Sequence, residues 1–399
     1  METTSYLTMD LIFFLNSITE FNHTYPIMNE CKNWFIATEY FKLYQYVKEN
    51  HPQISVSIIR RQDLGIFNPK AVVFASDWGL VKEHNLFSKR PVYKQIKTFH
   101  GIIDKTIVYN RGNFKDAHNF LFKVFYLLIK LKLRKLSPLS DNPFKFIDNL
   151  KLDRLIPNRY ALILLSGKIM EEILLKKRIL TPTNYAKVGV PKTDSLFTKS
   201  DSSFKILEEL GLDKDKKTVL YAPTWSSNLN LCLSSIPSYG IALCKAIDKN
   251  LNFIFKPHQN IQRLNEFPKQ IREIKSIIKR NDNMRYVNPS IDAISLMRIS
   301  DLLITDFSSV AIEFLLLDKP LLFIDHLGKK YSDPNTLDIQ IRETGEIVDS
   351  IKKLPALISY CLEYPNKKTN IRKQFARKLF YYSDGKSAIR AARAIESII

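Results

Sequence analysis

The stretch ISDLLITDFSSVAIEFLLLDKPLLFI, residues 299–324, constrains the fold more than any other part of the chain. It reads as an apolar strand over 301–305, a polar turn to Ser309, a helix over 310–318 and a second apolar strand over 320–325. Both strands are continuous apolar runs, not alternations of apolar and polar residues. Such strands are buried on both faces, as in a parallel sheet covered by helices. The pattern recurs upstream. KTVLYAPTW (217–225), LNFIFKPHQN (251–260) and MRYVN (284–288) read as strands, with helices over IALCKAIDKN (241–250) and DAISLMRIS (292–300). Strict alternation of strand and helix predicts an α/β fold with a doubly wound parallel sheet.

The first half begins less plainly. MDLIFFLNSITEF and WFIATEYFKLYQYVKEN, within residues 9–50, carry apolar residues at helical spacing and read as helices. ISVSII (54–59) and AVVFAS (71–76) read as strands, and QIKTF as a further extended run. RYALILLSGKIMEEIL (159–174) reads as strand, turn and helix, and NYAKVGVPKTDSLF (184–197) as a strand with a Pro-marked turn. The polar stretch 199–217, ending in Gly211 and a charge run, marks a domain boundary. Two doubly wound halves are therefore expected, 1–198 and 199–384, facing a cleft.

Ligands in open α/β sheets bind beyond the carboxyl ends of the strands. The conspicuous polar residues fall there: Thr224 and Trp225, Lys256 and His258, Asp306 with Ser308 and Ser309, Lys192 and Asp194, and His100 with Gly101. Ser308 and Ser309 stand where a helix starts, and its free N–H groups and dipole attract phosphate. Asp306 or Ser308 could equally serve as an ordinary N-cap. Glu313, one turn into an apolar helix, could reach a ribose hydroxyl, since an unpartnered buried carboxylate is costly. His100 and His258, one in each half, suit transfer to a hydroxyl near phosphate. One histidine would take the acceptor proton, and the other, with Lys105, Lys192 and Lys256, would steady phosphoryl charge. His23, His51, His84, His118 and His326 have no comparable setting.

Lys and Arg number 60 against 40 Asp and Glu, giving a net charge of +20, which points to a polyanionic partner. The excess is densest over 82–135, with 13 Lys and Arg against Glu83, Asp104 and Asp116. Within it, a basic amphipathic helix at about 118–137 suits the interface of an anionic membrane. A core helix with a basic outer face fits the same pattern. No apolar run is long enough to span a bilayer, and the N-terminus lacks a signal-peptide pattern. Cys31, Cys232, Cys244 and Cys361 form no CxxC pair, which fits a reducing cytoplasm. There is no GxGxxG after a strand, no P-loop, no zinc signature and no nucleic-acid motif. Nucleic acid is therefore not an expected partner. No cofactor is called for, and Mg2+ is left open.

Six segments together resemble the CDP-glycerol glycerophosphotransferase family of teichoic acid and capsule polymerases and primases. In chain order they are FHGIIDK (99–105), VGVPKTD (188–194), LYAPTW (220–225), FKPH (255–258), LLITDFSSVAIEF (302–314) and FYYSDGKSAIRAARAI (380–395). The resemblance implies a GT-B architecture, with two Rossmann-like domains, the nucleotide on the second, and a terminal helix, 385–399, crossing back to the first. It implies transfer of a polyol phosphate from CDP-glycerol or CDP-ribitol to a lipid-linked or glycan acceptor, releasing CMP, at the cytoplasmic face of the bacterial membrane. By position, His100 would be the general base, and the loop Gly101, Ile102, Ile103, Asp104 and Lys105 would touch the donor. Lys192, Pro223 and Thr224 would bind donor as well. Lys256, Pro257 and His258 would hold the diphosphate, Asp306, Ser308 and Ser309 the phosphate end, and Glu313 the ribose. The sequence departs from the family at Phe99, at Ile102 to Lys105, at Ser226 where Arg is common, and at Glu313 where Asp is usual. These departures leave the donor open, and a GT-B glycosyltransferase using a nucleotide sugar is the alternative.

Overall fold

The computed structural model describes residues 9–75, 92–99, 160–176, 180–197, 202–226, 232–288, 291–328 and 337–399. Its contacts group into two units, Met1–Lys192 with Lys386–Ile399, and Thr193–Gly385. The stretch 198–201, where the sequence suggests a boundary, lies outside the described residues. So do His100 to Lys105 and the basic segment 118–137.

Strands β1 (Leu11–Phe14), β2 (Trp34–Thr38), β3 (Val56–Ile58), β4 (Ala71–Phe74), β5 (Lys94–Lys97), β6 (Tyr160–Leu165) and β7 (Tyr185–Lys187) form the sheet of the first unit. All described pairings are parallel, in the order β3-β2-β1-β4-β5-β6-β7. The first fifty residues correct the sequence reading, because LIFF and WFIAT are central strands and not parts of helices. A run of four or five apolar residues fits a helical face as well as a buried strand, and here burial on both sides decides. The helix begins only at Ile18. Its N-cap Ser17 accepts a hydrogen bond from Glu20 N at 3.2 Å, and Glu20 Oε2 accepts one from Asn16 N at 2.7 Å. The terminal helix Ser387–Glu396 adds Ala391, Ala392 and Ile395 to the core formed by Leu11, Phe13, Phe21 and Val73.

The second sheet contains β8 (Lys217–Tyr221), β9 (Leu251–Phe255), β10 (Met284–Tyr286), β11 (Leu302–Thr305), β12 (Leu321–Ile324) and β13 (Glu346–Val348). It is parallel throughout, in the order β10-β9-β8-β11-β12-β13. The chain runs outward from β8 through β9 to β10, then returns to β11 on the other side. The order thus reverses between β8 and β11, and the crevice at their carboxyl ends is where ligands bind in such sheets. Buried Val219, Phe253, Ile304 and Leu322 fill the core on one face of the sheet. The edge strand β13 is absent from the sequence reading. It has only three residues, with Ile347 exposed, and so shows no apolar run. Gly385 adopts φ +70°, and a Cβ there would lie 3.2 Å from the Asp194 carbonyl, which explains glycine in the DGK segment.

Candidate active site

Three loops meet at the switch point of the second sheet, leaving β8, β9 and β11. Thr305 Oγ1 donates to the Ala222 carbonyl at 2.8 Å, and Ala222 N donates to Ile304 O at 3.0 Å, so the ends of β8 and β11 are tied together. Asp306 strengthens the tie. It is 2% exposed, its Oδ1 accepts from Thr224 N at 2.8 Å, and its Oδ2 accepts from Ser235 N at 2.8 Å and Ser235 Oγ at 2.7 Å. The Ser235 hydroxyl proton is thereby committed, so its oxygen accepts from Tyr221 Oη at 2.8 Å. Burial raises the Asp306 pKa above the ordinary carboxylate range, while the three donors pull the other way. Asp306 is expected from sequence to touch the donor molecule. In the structure its carboxylate braces the loops after β8 and β11. It does not serve as an N-cap; that position is Ser309, which makes no side-chain cap bond.

The β9 loop supplies the cationic part. Lys256 is buried and its Nζ donates to the Pro257 carbonyl at 3.3 Å. Desolvation lowers its pKa from 10.5 to about 8, with Asp292 opposing. His258 caps the helix Gln259–Arg263, its Nδ1 accepting from Asn260 N at 3.1 Å. A backbone N–H can only donate, so neutral His258 carries its proton on Nε2. The ring stacks on Trp225, with centroids 6.1 Å apart and 24° between planes. Trp225 in turn precedes Ser226, whose N donates to Glu266 Oε2 at 3.0 Å and whose hydroxyl donates to Glu266 Oε1. Glu266 and Ser235 are absent from the sequence reading. They act across 40 and 71 residues, and only their types, a lone acid and a Ser-Ser before Ile-Pro, hint at a role.

The β11 loop presents Ser308, half-buried, and Ser309, exposed, ahead of the helix Val310–Phe314, in which Glu313 is buried. Pro223 and Thr224 are buried at the end of β8. Lys192 belongs to the other unit. It follows β7 in the first unit, at the start of the turn Pro191–Phe197. Among the described residues no cluster of three or more His, Cys, Asp or Glu could hold a metal.

A strand-end cation, a histidine with its proton on Nε2 and a paired-serine turn at one switch point form a set suited to a nucleoside diphosphate ester. Residues 140–397 match the family model for CDP-glycerol:poly(glycerophosphate) glycerophosphotransferase. The chain belongs to this family. Among curated glycerophosphotransferase relatives, it is 26% identical over 253 residues to a teichoic acid glycerol-phosphate primase of Bacillus subtilis, covering 60% of this chain and 58% of that protein. It is 30% identical over 193 residues to a teichoic acid poly(glycerol phosphate) polymerase of Bacillus spizizenii, covering 42% of this chain and 44% of that protein. The chain spans about half the length of the curated relatives it matches. The wall teichoic acid polymerase TagF superposes with a TM-score of 0.63 at 16% identity, over 98% of this chain and 90% of that one. That likeness shows the fold, two Rossmann-like units of the GT-B type. Ser226, bound to Glu266, ties down the loop that carries Trp225.

Proposed function

We propose that this chain transfers a polyol phosphate, glycerol phosphate foremost, from a CDP-activated donor to a hydroxyl of a lipid-linked or glycan acceptor, releasing CMP. Family membership supports the reaction class, and the observation that carries it is the placement of Lys256, His258 and the Ser308–Ser309 turn at the carboxyl ends of β9 and β11, the two strands that flank β8. The acceptor oxygen attacks the phosphorus that bears the polyol. The bond from that phosphorus to the bridging oxygen breaks, and CMP leaves carrying the oxygen. The Lys256 ammonium and the His258 Nε2–H face the charge that builds on the diphosphate. His100, outside the described residues, takes the proton of the acceptor hydroxyl as it attacks. Glu313 reaches the ribose, and Lys192 adds positive charge for the donor.

Work at the cytoplasmic membrane face belongs to the same proposal. The basic sequence over 82–135 supports it. No helix among the described residues is long and apolar enough to cross a membrane.

The assigned roles distinguish a histidine that donates from one that acts as a base. Asparagine at 258 keeps an acceptor for Asn260 N and an N–H for phosphate, whereas alanine keeps neither. His258→Ala is expected to weaken CMP binding by about 100-fold and His258→Asn by about tenfold, read by titration calorimetry on the full chain. Equal CMP affinity in wild type and His258→Ala would remove the diphosphate assignment. His100→Ala is expected to abolish CMP release while leaving CMP affinity within about twofold of wild type.

A further inference from the structure

Arg342 lies beside the candidate site in a setting that a structural brace does not require. It sits in the turn Ile341–Thr344 that leads into β13 and is 6% exposed. Nη1 donates to Asp325 Oδ1 at 3.0 Å, Nη2 reaches the Ile324 carbonyl at 3.4 Å, and Nε is buried with no partner. Its guanidinium carbon lies 4.4 Å from the ring centroid of Phe307, the residue between Asp306 and Ser308. His326, which follows Asp325, meets the same ring edge-on at 6.0 Å and 73°. Its Nε2 donates to the Cys232 carbonyl at 3.0 Å. The sequence gives His326 no role, yet its position at the end of β12 sets it against the β11 loop.

The same unit offers a comparison. Arg372 is equally buried and spends its donors on Asp318, the Pro365 carbonyl and Thr369 Oγ1, as a bracing arginine should. Arg342 leaves Nε unbonded and places its guanidinium carbon over an aromatic ring. A guanidinium is planar and weakly hydrated, so it can cover that face more fully than the compact, strongly hydrated ammonium of a lysine. Asp306 pins the turn from the β8 side and Phe307 pins it from the β12 side. Ser308 and Ser309 are thereby held in place, with Ala311 N donating to Ser308 O at 3.2 Å and Ile312 N to Ser309 O at 3.0 Å.

We propose that Arg342 is a positioning residue for the donor phosphate, acting through Phe307 to fix the turn that presents Ser308 and Ser309. This rests on the phosphate role given to those serines above. Small displacements of a binding turn weaken its contacts to the donor phosphate in the ground state and the transition state alike, which reads as a raised KM.

The test uses the full chain, with CDP-glycerol turnover, CMP binding and thermal unfolding measured on Arg342→Lys, Phe307→Tyr, Phe307→Leu and the double variant Arg342→Lys/Phe307→Leu. Lysine keeps the charge beside Asp325 and loses the guanidinium that covers the Phe307 ring. Arg342→Lys is expected to raise KM for CDP-glycerol about tenfold with kcat within about threefold, while Phe307→Tyr stays near wild type. Adding Arg342→Lys to Phe307→Leu should raise KM by less than about twofold more, because the route through the ring is already gone. An unchanged KM in Arg342→Lys, with or without a lower unfolding temperature, overturns the proposal, and so do single effects that multiply in the double variant. Wild-type protein that binds no CMP removes the phosphate reading along with it. Wild-type protein that binds CMP while Arg342→Lys binds and turns over equally well removes only the Arg342 role.

Discussion

Asp306→Ala is expected to lower the unfolding temperature of the C-terminal unit by about 10 °C, the largest stability change among the site residues. The reason is what alanine leaves behind. Thr224 N, Ser235 N and the Ser235 hydroxyl all donate to this one carboxylate, and at 2% exposure no solvent replaces it. Stranded buried donors cost about 1–3 kcal/mol each, and with partial relaxation the total is about 4 kcal/mol. Asp306→Asn keeps one acceptor oxygen but turns an amide N–H toward Ser235, so about half that loss is expected. Tyr221→Phe removes only the last link of the chain and should cost about 1 kcal/mol. Calorimetry of the full chain checks the series. An Asp306→Ala transition within about 2 °C of the parent contradicts the bracing role.

Lys256 carries the largest expected effect on catalysis. If Lys256 faces the diphosphate as proposed, Lys256→Gln should lower kcat/KM for the CDP donor by about 100-fold or more, since water does not replace a buried cation. Its lowered pKa adds a pH signature. In the free protein the ammonium loses its proton as pH rises through about 8. Donor kcat/KM, which reports the free enzyme, should then fall by about tenfold per pH unit above that point. Stability should move the opposite way. The folded value lies below the unfolded value of 10.5, so between about 8 and 10.5 the unfolded chain holds more protons, and stability rises with pH. Lys256→Arg stays charged throughout and should show a lower but flat kcat/KM over this range. A wild-type profile that stays flat to pH 10 would contradict the assignment.

The second sheet is legible in the sequence because β8, β9, β11 and β12 carry short apolar runs closed by turn residues. LLIT and LLFI could be nothing but buried strands once a helix stood between them. LIFF and WFIAT are just as buried, yet aromatic residues at helical spacing disguise them. The Ser17–Glu20 capping pair, visible in the sequence, is the signal that separates strand from helix there. The strand-end placement of the candidate residues is legible for a topological reason, since polar residues closing apolar strands lie at the carboxyl ends of a parallel sheet. The individual roles are less so. Asp306 looks like a ligand or a cap, and only its partners Thr224 and Ser235, 82 and 71 residues away, reveal a brace. Arg342, 35 residues from Phe307, carries no local sign of that contact.

The central claim is the transfer of a polyol phosphate from a CDP donor. The most direct measurement incubates the purified chain and a lipid-linked acceptor with CDP-glycerol, and with CDP-ribitol in parallel. Both CMP release and acceptor mass are followed. The predicted result is CMP release matched by an acceptor gain of one or more polyol phosphates, absent in His100→Ala and greatly slowed in Lys256→Gln. No turnover with either donor, together with product from a nucleotide-sugar donor, would contradict it and make the chain a glycosyltransferase.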